Sequence, residues 1–377
     1  MKIAHVCPFV GEQMGGSERY VYNLSKEQSK EHDVHIFTTT RHLDRVGTNE
    51  DGGISIHRFY APKVVWNMNP LTLMLRPLVN SESDVYHIHS YLYFSSNQAV
   101  IARLLKKRKA LLQIHGGVGI PPYDLGWFKL AAKHFYDCSL GKFTIENSDI
   151  IASVSKSDLW AIATRYKIHE NRLRYVPNMV DTKLFTPELK DPLERRLLLY
   201  LGDLEPWKGV GSLIKWIRAM NHSFSEEVTI RFVGQGSYMQ YLLNLREKLR
   251  KSRNGISIEV MGPRNHIDVP SILRSSSALI LPSYWEGMPT VVLEAMASGV
   301  PVISTKVGDI PQLIRDKETG LLINRSLESF KSAVSLVLND RLLVSRMTKR
   351  ARTIVEDEYT VRNVHRIVRN VYTEMVS

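Results

Sequence analysis

The chain has 377 residues, enough for two domains at roughly 100 to 200 residues each. Lys and Arg outnumber Asp and Glu by 12 (50 against 38), but only 23% of residues are charged and 44% are hydrophobic, which excludes an intrinsically disordered chain. No apolar stretch approaches the roughly 18 residues of a transmembrane helix, and the N-terminus is too polar for a signal peptide, so we expect a cytoplasmic protein. Cys7 and Cys138 lie in no metal-ligand spacing and are too few for a disulfide framework.

Apolar runs of strand length alternate with stretches of helical period, a pattern typical of parallel sheets covered by helices. In the first half we predict strands at Ile3–Phe9, Val34–Thr39, Asp84–His89, Leu111–His115 and Ile150–Ser153. In the second half we predict strands at Leu197–Gly202, Val228–Gly234, Ile256–Met261, Ala278–Pro282, Val300–Thr305 and Gly320–Ile323. The polar, proline-containing segment Tyr175–Arg196 is the predicted linker, so the sequence predicts two α/β domains of similar size.

A final amphipathic helix is predicted from about Val361 to Met375, and its apolar face must pack on one of the domains. Open α/β sheets bind ligands in the loops at the carboxyl ends of their strands. The chemistry is therefore expected in the loops that lead from strands to helices.

Two loops of the first half carry candidate binding residues. Gly15 and Gly16, after the first strand, allow backbone amides to approach an anion at the start of a helix. They do not form the G-x-G-x-x-G fingerprint, which disfavours nicotinamide chemistry. His115 ends a strand beside glycines that leave room for a ligand. The pair His87 and His89 has metal-ligand character but no third ligand nearby in the sequence, so we interpret it as structural.

The second half holds the most specific pattern. Lys208 precedes a predicted helix, where a cation can neutralise a diphosphate. In the segment from Ala278 to Pro301, a strand is followed by Glu286 and Gly287, and Pro289 fits the first turn of a helix that contains Glu294. Glu286 lies before this helix and Glu294 about one turn inside it, so the two carboxylates are expected to reach different parts of one elongated ligand.

The chain resembles the retaining glycosyltransferases of family 4 in the order of these segments: Gly15–Gly16, His115, Lys208, and Glu286 to Glu294. The resemblance covers nearly the whole chain and implies the GT-B fold, in which two Rossmann-like, doubly wound α/β domains face each other across a cleft. The implied domains are an acceptor-side domain at 1–180 plus 360–377 and a donor-binding domain at 181–359. The implied reaction transfers a sugar from a nucleotide diphosphate sugar, UDP- or GDP-linked, to a glycan or lipid-linked acceptor. Configuration is retained, no cofactor is involved, and no metal is obligatory.

The resemblance also assigns roles to individual residues. Glu294 would hold the nucleotide ribose, and Glu286 with the backbone of Gly287, Met288, Pro289 and Thr290 would hold the donor sugar and phosphates. Lys208 would bind the diphosphate, the Gly15–Gly16 loop would close over it, and His115 would contact the sugar. The catalytic set implied is Glu286, His115 and Lys208.

One position departs from the family pattern. Family members often carry Arg directly after the glycine that matches Gly202, as a second cation on the diphosphate, and this chain has Asp203 there. An acid beside a dianion is unfavourable. Either Arg264 supplies the missing cation or the donor is bound less tightly. The departure keeps a sugar-nucleotide binding protein without catalysis as an alternative, and epimerisation on the same fold is another.

The net positive charge has three possible partners: an anionic donor, a membrane surface and nucleic acid. Arg103 to Lys109 contains five cations in seven residues, and the segment Val64 to Leu75 is unusually apolar for a loop region. Together they predict docking of the N-terminal domain on an anionic membrane, at the inner face of the cell membrane, with access to a lipid-linked acceptor. Nucleic-acid binding is disfavoured, because the cations are scattered and no recognition motif is present.

Overall fold

The computed structural model describes residues 1–11, 15–65, 69–116, 118, 127–188, 196–220, 227–251 and 255–377, and the structural statements that follow concern these residues. The chain divides into two compact units, Met1–Asn178 with Val361–Ser377 and Met179–Thr360. In the part of the chain so described, no helix is both long and apolar enough to cross a lipid bilayer.

The strands follow the hydrophobic pattern closely. They are β1 (Lys2–Phe9), β2 (Asp33–Thr40), β3 (Gly47–Asp51), β4 (Ile54–Tyr60), β5 (Lys63–Val65), β6 (Asn69–Leu71), β7 (Val85–His89), β8 (Lys109–Ile114), β9 (Ile150–Ser153), β10 (Leu173–Tyr175), β11 (Leu197–Leu201), β12 (Val228–Val233), β13 (Ile256–Val260), β14 (Ala278–Leu281), β15 (Val302–Thr305) and β16 (Leu321–Ile323).

Helices separate most of these strands. They are α1 (Gly16–Gln28), α2 (Leu75–Asn80), α3 (Phe94–Lys106), α4 (Trp127–Cys138), α5 (Leu140–Glu146), α6 (Lys156–Tyr166), α7 (Val210–Met220), α8 (Met239–Lys251), α9 (Val269–Arg274), α10 (Thr290–Ala297), α11 (Ile310–Leu313), α12 (Leu327–Asn339), α13 (Arg341–Glu358) and α14 (Val361–Val376).

The first unit is built on an eight-stranded sheet in the order β10-β9-β8-β7-β1-β2-β4-β3. All neighbouring strands are parallel except β3 and β4, which form an antiparallel pair at one edge. The strand order reverses between β1 and β7, because the chain winds in one direction through β2 and β4 and in the other through β8, β9 and β10. Such a reversal leaves a crevice at the carboxyl ends of the two strands, the usual place for a ligand in this type of sheet.

The second unit has a six-stranded, fully parallel sheet in the order β13-β12-β11-β14-β15-β16. Here the order reverses between β11 and β14. The loop after β11 carries Lys208, and the loop after β14 carries Glu286. The topology therefore brings together two loops that lie 78 positions apart in the sequence. The prediction of two doubly wound α/β domains is confirmed.

The last helix, α14, belongs to the first unit although it follows the second in the chain. Val364, Val368, Val371 and Met375 are buried along one face, as the apolar spacing predicts. Tyr372, on the same helix, is fully buried and hydrogen-bonded to Gln28 of α1 and to His87 of β7. The helix thus packs against α1 and contributes to the interior of the first unit.

All eleven predicted strands are present, but five further strands were not predicted. Gly47–Asp51 is polar and exposed along its whole length, and Leu173–Tyr175 is a three-residue edge strand, so neither has an apolar signal. The predicted apolar loop at Val64 to Leu75 instead contains the short antiparallel pair β5 and β6. Part of the predicted linker, residues 189–195, and positions 66–68 of the apolar segment lie outside the described residues.

Candidate active site

The centre of the candidate site is a buried ion pair between the two loops at the reversal point of the second sheet. Nζ of Lys208 lies 2.7 Å from Oε1 and 2.9 Å from Oε2 of Glu286. The Glu286 side chain is 6% exposed and that of Lys208 is 17% exposed. Ser283 donates its hydroxyl to Oε1 of Glu286 at 2.7 Å. The Glu286 carboxylate is therefore fixed by three hydrogen bonds and is shielded from solvent.

Lys208 is held from two sides. It ends the short 3-10 turn Pro206–Lys208, and its ammonium lies 4.6 Å from the ring centre of Trp207, a cation–π contact. An ammonium has three N–H groups, and Glu286 accepts two of them. Among the described residues, the third has no hydrogen-bond acceptor. The arrangement places a positive charge at the carboxyl end of the sheet.

The helix that follows Glu286 begins where the sequence predicts. Thr290 is its first residue, Pro289 is the residue before it, and Met288 and Pro289 are buried. The free amides at the start of such a helix and its dipole favour an anion nearby. Gly287 accepts a hydrogen bond from the amide of Asp309 at 3.1 Å, which ties the loop to the segment after β15.

Glu294 lies inside the same helix and faces a different partner. Its Oε1 is 2.9 Å from Nε2 of His266, in the segment after β13. The ring of His266 packs at 5.3 Å from that of Phe185. The two carboxylates thus contact different side chains: Glu294 contacts His266, and Glu286 contacts Lys208 and Ser283. His266 and Ser283 are site residues that the sequence analysis missed; the signal for both was their position just after a predicted strand.

The region around Asp203 is acidic. The hydroxyl of Tyr200 donates to the backbone carbonyl of Asp203 at 2.6 Å, and Glu205 accepts hydrogen bonds from the amide and hydroxyl of Ser237. Desolvation raises the pKa of Asp203, opposed by the charge of Lys208 and assisted by the charges of Glu205 and Glu286. Arg264 is exposed, in the segment after β13, and no ion pair to Asp203 is formed in the described part of the chain.

In the first unit, α1 begins at Gly16, and Gly15 precedes it in an extended conformation. Gly15 accepts a hydrogen bond from the amide of Arg19 at 3.1 Å. Residues 12–14 of this loop lie outside the described residues, as do Gly117 and positions 119–126 after His115. The start of α1 thus has the geometry of a helix N-terminus, in line with the sequence expectation for Gly15 and Gly16.

His115 lies directly after β8, and Nε2 of its ring is 2.9 Å from Nδ1 of His89. Burial lowers the pKa of His115 to about 3, so its imidazole is neutral at physiological pH. The interpretation of His87 and His89 as structural stays a prediction, but they are not an isolated pair. The fold brings His5 of β1 beside them, and nitrogen atoms of all three rings lie within 4.8 Å of one another.

The sequence matches two protein-family models. Residues 14–184 match Glycosyltransferase Family 4 and residues 181–354 match Glycosyl transferases group 1. A structure of HepE from Anabaena in complex with UDP has the same fold, with a TM-score of 0.76 at 16% identity over 99% of this chain and 100% of that chain. These findings define the class as glycosyltransferases of GT-B architecture.

Two known glycosyltransferases are similar to this chain in sequence. The D-inositol 3-phosphate glycosyltransferase of Corynebacterium glutamicum is 25% identical over 52% of this chain and 50% of its own length. The UDP-Gal:alpha-D-GlcNAc-diphosphoundecaprenol alpha-1,3-galactosyltransferase of Escherichia coli is 30% identical over 54% of this chain and 55% of its own length. The chain thus spans about half the length of each of these relatives. With both family models matched between residues 14 and 354, the chain belongs to the family 4 glycosyltransferases.

The Glu286 loop depends on a glycine for its position. Gly308 has a φ of +52°, and a Cβ placed on it would lie 1.8 Å from the carbonyl oxygen of Glu286. We predict that Gly308→Ala lowers the free energy of unfolding by about 2 to 4 kcal/mol, since the backbone of the Glu286 loop must move. Urea denaturation measures the change.

Gly262→Ala is the matched control. Its φ of +69° gives similar backbone strain, but among the described residues no atom lies within 4 Å of the position of the added Cβ. We expect it to cost about 1 kcal/mol. Equal losses in the two variants would contradict the tight contact between Gly308 and the Glu286 loop.

Proposed function

We propose that the protein is a retaining glycosyltransferase that moves a sugar from a nucleotide diphosphate sugar, UDP- or GDP-linked, to a glycan or lipid-linked acceptor without an obligatory metal. The observation that carries the proposal is the buried Lys208–Glu286 pair beside the start of α10. A cation beside the start of a helix matches a diphosphate. A fixed carboxylate next to them matches sugar hydroxyls, since carboxylate oxygens accept hydrogen bonds.

The charges of the site fit the reaction. Cleavage of the bond between sugar and phosphate increases the negative charge on the leaving diphosphate. Lys208 and the backbone N–H groups of Gly287 and Thr290 are already oriented before the reaction, so they stabilise this charge more in the transition state than in the ground state. These groups supply the electrostatic stabilisation that a divalent metal gives in other transferases.

Each further residue has a proposed role. Glu294, oriented by His266, binds the ribose hydroxyls, and His115 contacts the sugar. The amides at Gly15 and Gly16 add to the binding of the phosphates, and Arg264 is the second cation. The UDP-galactose and diphosphoundecaprenol in the name of the Escherichia coli relative support a UDP-sugar donor and a lipid-linked acceptor.

A donor screen tests the proposal. The protein is incubated with UDP-, GDP- and ADP-sugars in EDTA, and release of the nucleoside diphosphate is measured, with the anomeric configuration of the product read by proton NMR. We expect one donor to be turned over with retention. We expect Lys208→Met to reduce kcat/KM at least about 100-fold, as for other preorganised donors of charge stabilisation.

Lys331→Met, an exposed lysine on α12, is the matched control and should leave turnover unchanged. Turnover that requires a divalent metal, or a product of inverted configuration, would contradict the corresponding part of the proposal. If a donor binds but is not turned over even with lipid extract present, the protein is a sugar-nucleotide binding protein without catalysis.

Asp203 predicts an unusual pH dependence of donor affinity. When ionised it repels the diphosphate, and its raised pKa brings protonation closer to neutrality. We therefore expect the KM of the donor to fall as the pH is lowered from neutral toward the pKa of Asp203. Asp203→Asn should give the low KM at every pH, and Asp203→Arg a lower KM still. A KM that rises on acidification equally in the native protein and in Asp203→Asn would refute this role.

We also propose that the first unit docks on an anionic membrane. Lys106, Lys107 and Lys109 are exposed at the end of α3, whereas Arg103 is paired with Asp149 and is not available. Large apolar side chains are exposed on the β6–α2 segment and on α4 and α5, which pack with α3 in one unit: Leu71, Leu73, Trp127, Phe128, Phe135 and Leu140. Cations together with aromatic side chains are the composition of a membrane interface.

Vesicle sedimentation checks this docking. Replacement of Lys106, Lys107 and Lys109 by Ser should release the protein from phosphatidylglycerol vesicles, since each cation contributes about 1 kcal/mol near an anionic surface. Replacement of Lys248, Arg250 and Lys331 in the second unit by Ser is the control with the same change of charge. Equal release by both triple variants, or binding that is insensitive to salt, would contradict a docking surface on the first unit.

A further inference from the structure

A chain of hydrogen-bonded side chains crosses the interior of the first unit and ends at His115. Nε2 of His115 lies 2.9 Å from Nδ1 of His89, and Nε2 of His89 lies 2.9 Å from Nδ1 of His5. Nε2 of His5 lies 2.6 Å from Oε1 of Gln28. His89 and His5 lie on the neighbouring strands β7 and β1, His115 lies directly after β8, the strand next to β7, and Gln28 lies on α1. We call this chain, His115–His89–His5–Gln28, the histidine relay.

The geometry of the rings is that of in-line hydrogen bonds. The ring centres of His115 and His89 are 5.2 Å apart with planes 25° apart, and those of His89 and His5 are 5.2 Å apart with planes 18° apart. Nearly parallel rings whose nearest atoms are nitrogens at 2.9 Å direct an N–H of one ring at the in-plane lone pair of the next. Each contact therefore shares one proton.

Every histidine of the relay is neutral. Burial lowers the pKa of His5 to about 4 and that of His115 to about 3, and burial with the neighbouring histidine charges lowers the pKa of His89 well below its ordinary range. A neutral imidazole has one N–H and one lone pair. Fixing the proton at one end of the relay thus fixes it at every ring.

Gln28 fixes that end. Its amide oxygen only accepts, so His5 carries its proton on Nε2. In the amide orientation of the structure, Nε2 of Gln28 donates to the hydroxyl of Tyr372 at 3.3 Å. The same hydroxyl lies 2.6 Å from Nδ1 of His87, to which it can donate its own proton. Burial raises the pKa of Tyr372, so this donor is always protonated.

The directions then follow ring by ring. Nδ1 of His5 accepts from Nε2 of His89, and Nδ1 of His89 accepts from Nε2 of His115. His115 is left with its lone pair on Nδ1, for which no described residue is a partner. A lone pair can accept from a hydroxyl but repels a phosphate oxygen, which itself only accepts.

We propose that the histidine relay fixes the tautomer of His115, so that Nδ1 accepts a hydrogen bond from a hydroxyl of the bound sugar. His89, His5 and Gln28 are positioning residues in this account, and α14 takes part through Tyr372. The proposal rests on the proposed glycosyltransferase function for the identity of the ligand, but the tautomer itself is a property of the protein alone.

A metal centre formed by His5, His87 and His89 is the rival explanation of the cluster. Two nitrogens bound to one tetrahedral zinc at about 2.0 to 2.1 Å lie about 3.3 Å apart. The nitrogens of His5 and His89 are only 2.9 Å apart, which fits a shared proton better. His87→Asn separates the two readings, since the asparagine oxygen can still accept from Tyr372 while one of the three possible metal ligands is removed.

The test is 15N NMR of the full chain labelled at histidine, with His115 assigned from the spectrum of His115→Gln. We expect His115 to carry its proton on Nε2 in the absence of any ligand, both in the native protein and in His87→Asn. A proton on Nδ1 of His115 would overturn the proposal. So would a stoichiometric metal ion in the purified protein that is lost from His87→Asn.

Kinetics with the donor identified by the screen complete the test. His89→Leu removes the acceptor of His115 and should mix its tautomers and lower kcat/KM about fivefold to tenfold, the effect of one hydrogen bond. His89→Asn restores an acceptor oxygen and should recover most of that loss. His57→Leu, a half-buried histidine of the same sheet outside the relay, is the control. Unchanged kcat/KM in a folded His89→Leu would also overturn the proposal.

If the native protein turns over no donor, the proposed function fails while the NMR result still decides the tautomer.

Discussion

The second unit depends on one interaction, the ion pair between Lys208 and Glu286. A buried carboxylate is costly unless it is paired and hydrogen-bonded. Here the partners come from a loop 78 positions earlier and from Ser283. Removal of either charge would leave the other buried alone, at a cost of about 3 to 5 kcal/mol. The pair therefore joins the loops after β11 and β14, and it holds one cation and one acceptor where the reversal of strand order leaves room for a ligand.

The first unit achieves the same fixed geometry without charge. Beneath His115, the hydrogen-bonded polar groups are histidines, an amide and a phenol. His5, Gln28, His89 and Tyr372 are buried, so these groups do not exchange their partners for water. His115 at the outer end is thereby oriented by His89, as Glu286 is oriented by Lys208 and Ser283 in the second unit. Both units thus follow one principle: polar groups at strand ends are oriented by other polar groups beneath them before any ligand is bound.

Much of the fold and of the candidate site could be predicted from the sequence. The eleven predicted strands and the last helix are correct because apolar periodicity records burial directly. Glu286 and Lys208 were predicted as site residues because each lies between a strand and a helix, and Glu294 because it is an acid inside an apolar, small-residue helix. The edge strand Gly47–Asp51 could not be found, since its residues are polar and exposed. The third histidine and His266 were also missed, because their partners are distant in sequence and only the strand order brings them together.

The central claim is that Lys208 and Glu286 act as one unit in donor binding. A double-mutant cycle tests it most directly: the affinity for the nucleoside diphosphate of the preferred donor is measured by calorimetry for the native protein, Lys208→Met, Glu286→Gln and the double variant. The account predicts strong non-additivity, with a coupling energy of about 1 kcal/mol or more, as is typical of paired groups in contact. Strictly additive losses would contradict it, because the two side chains would then bind the ligand independently.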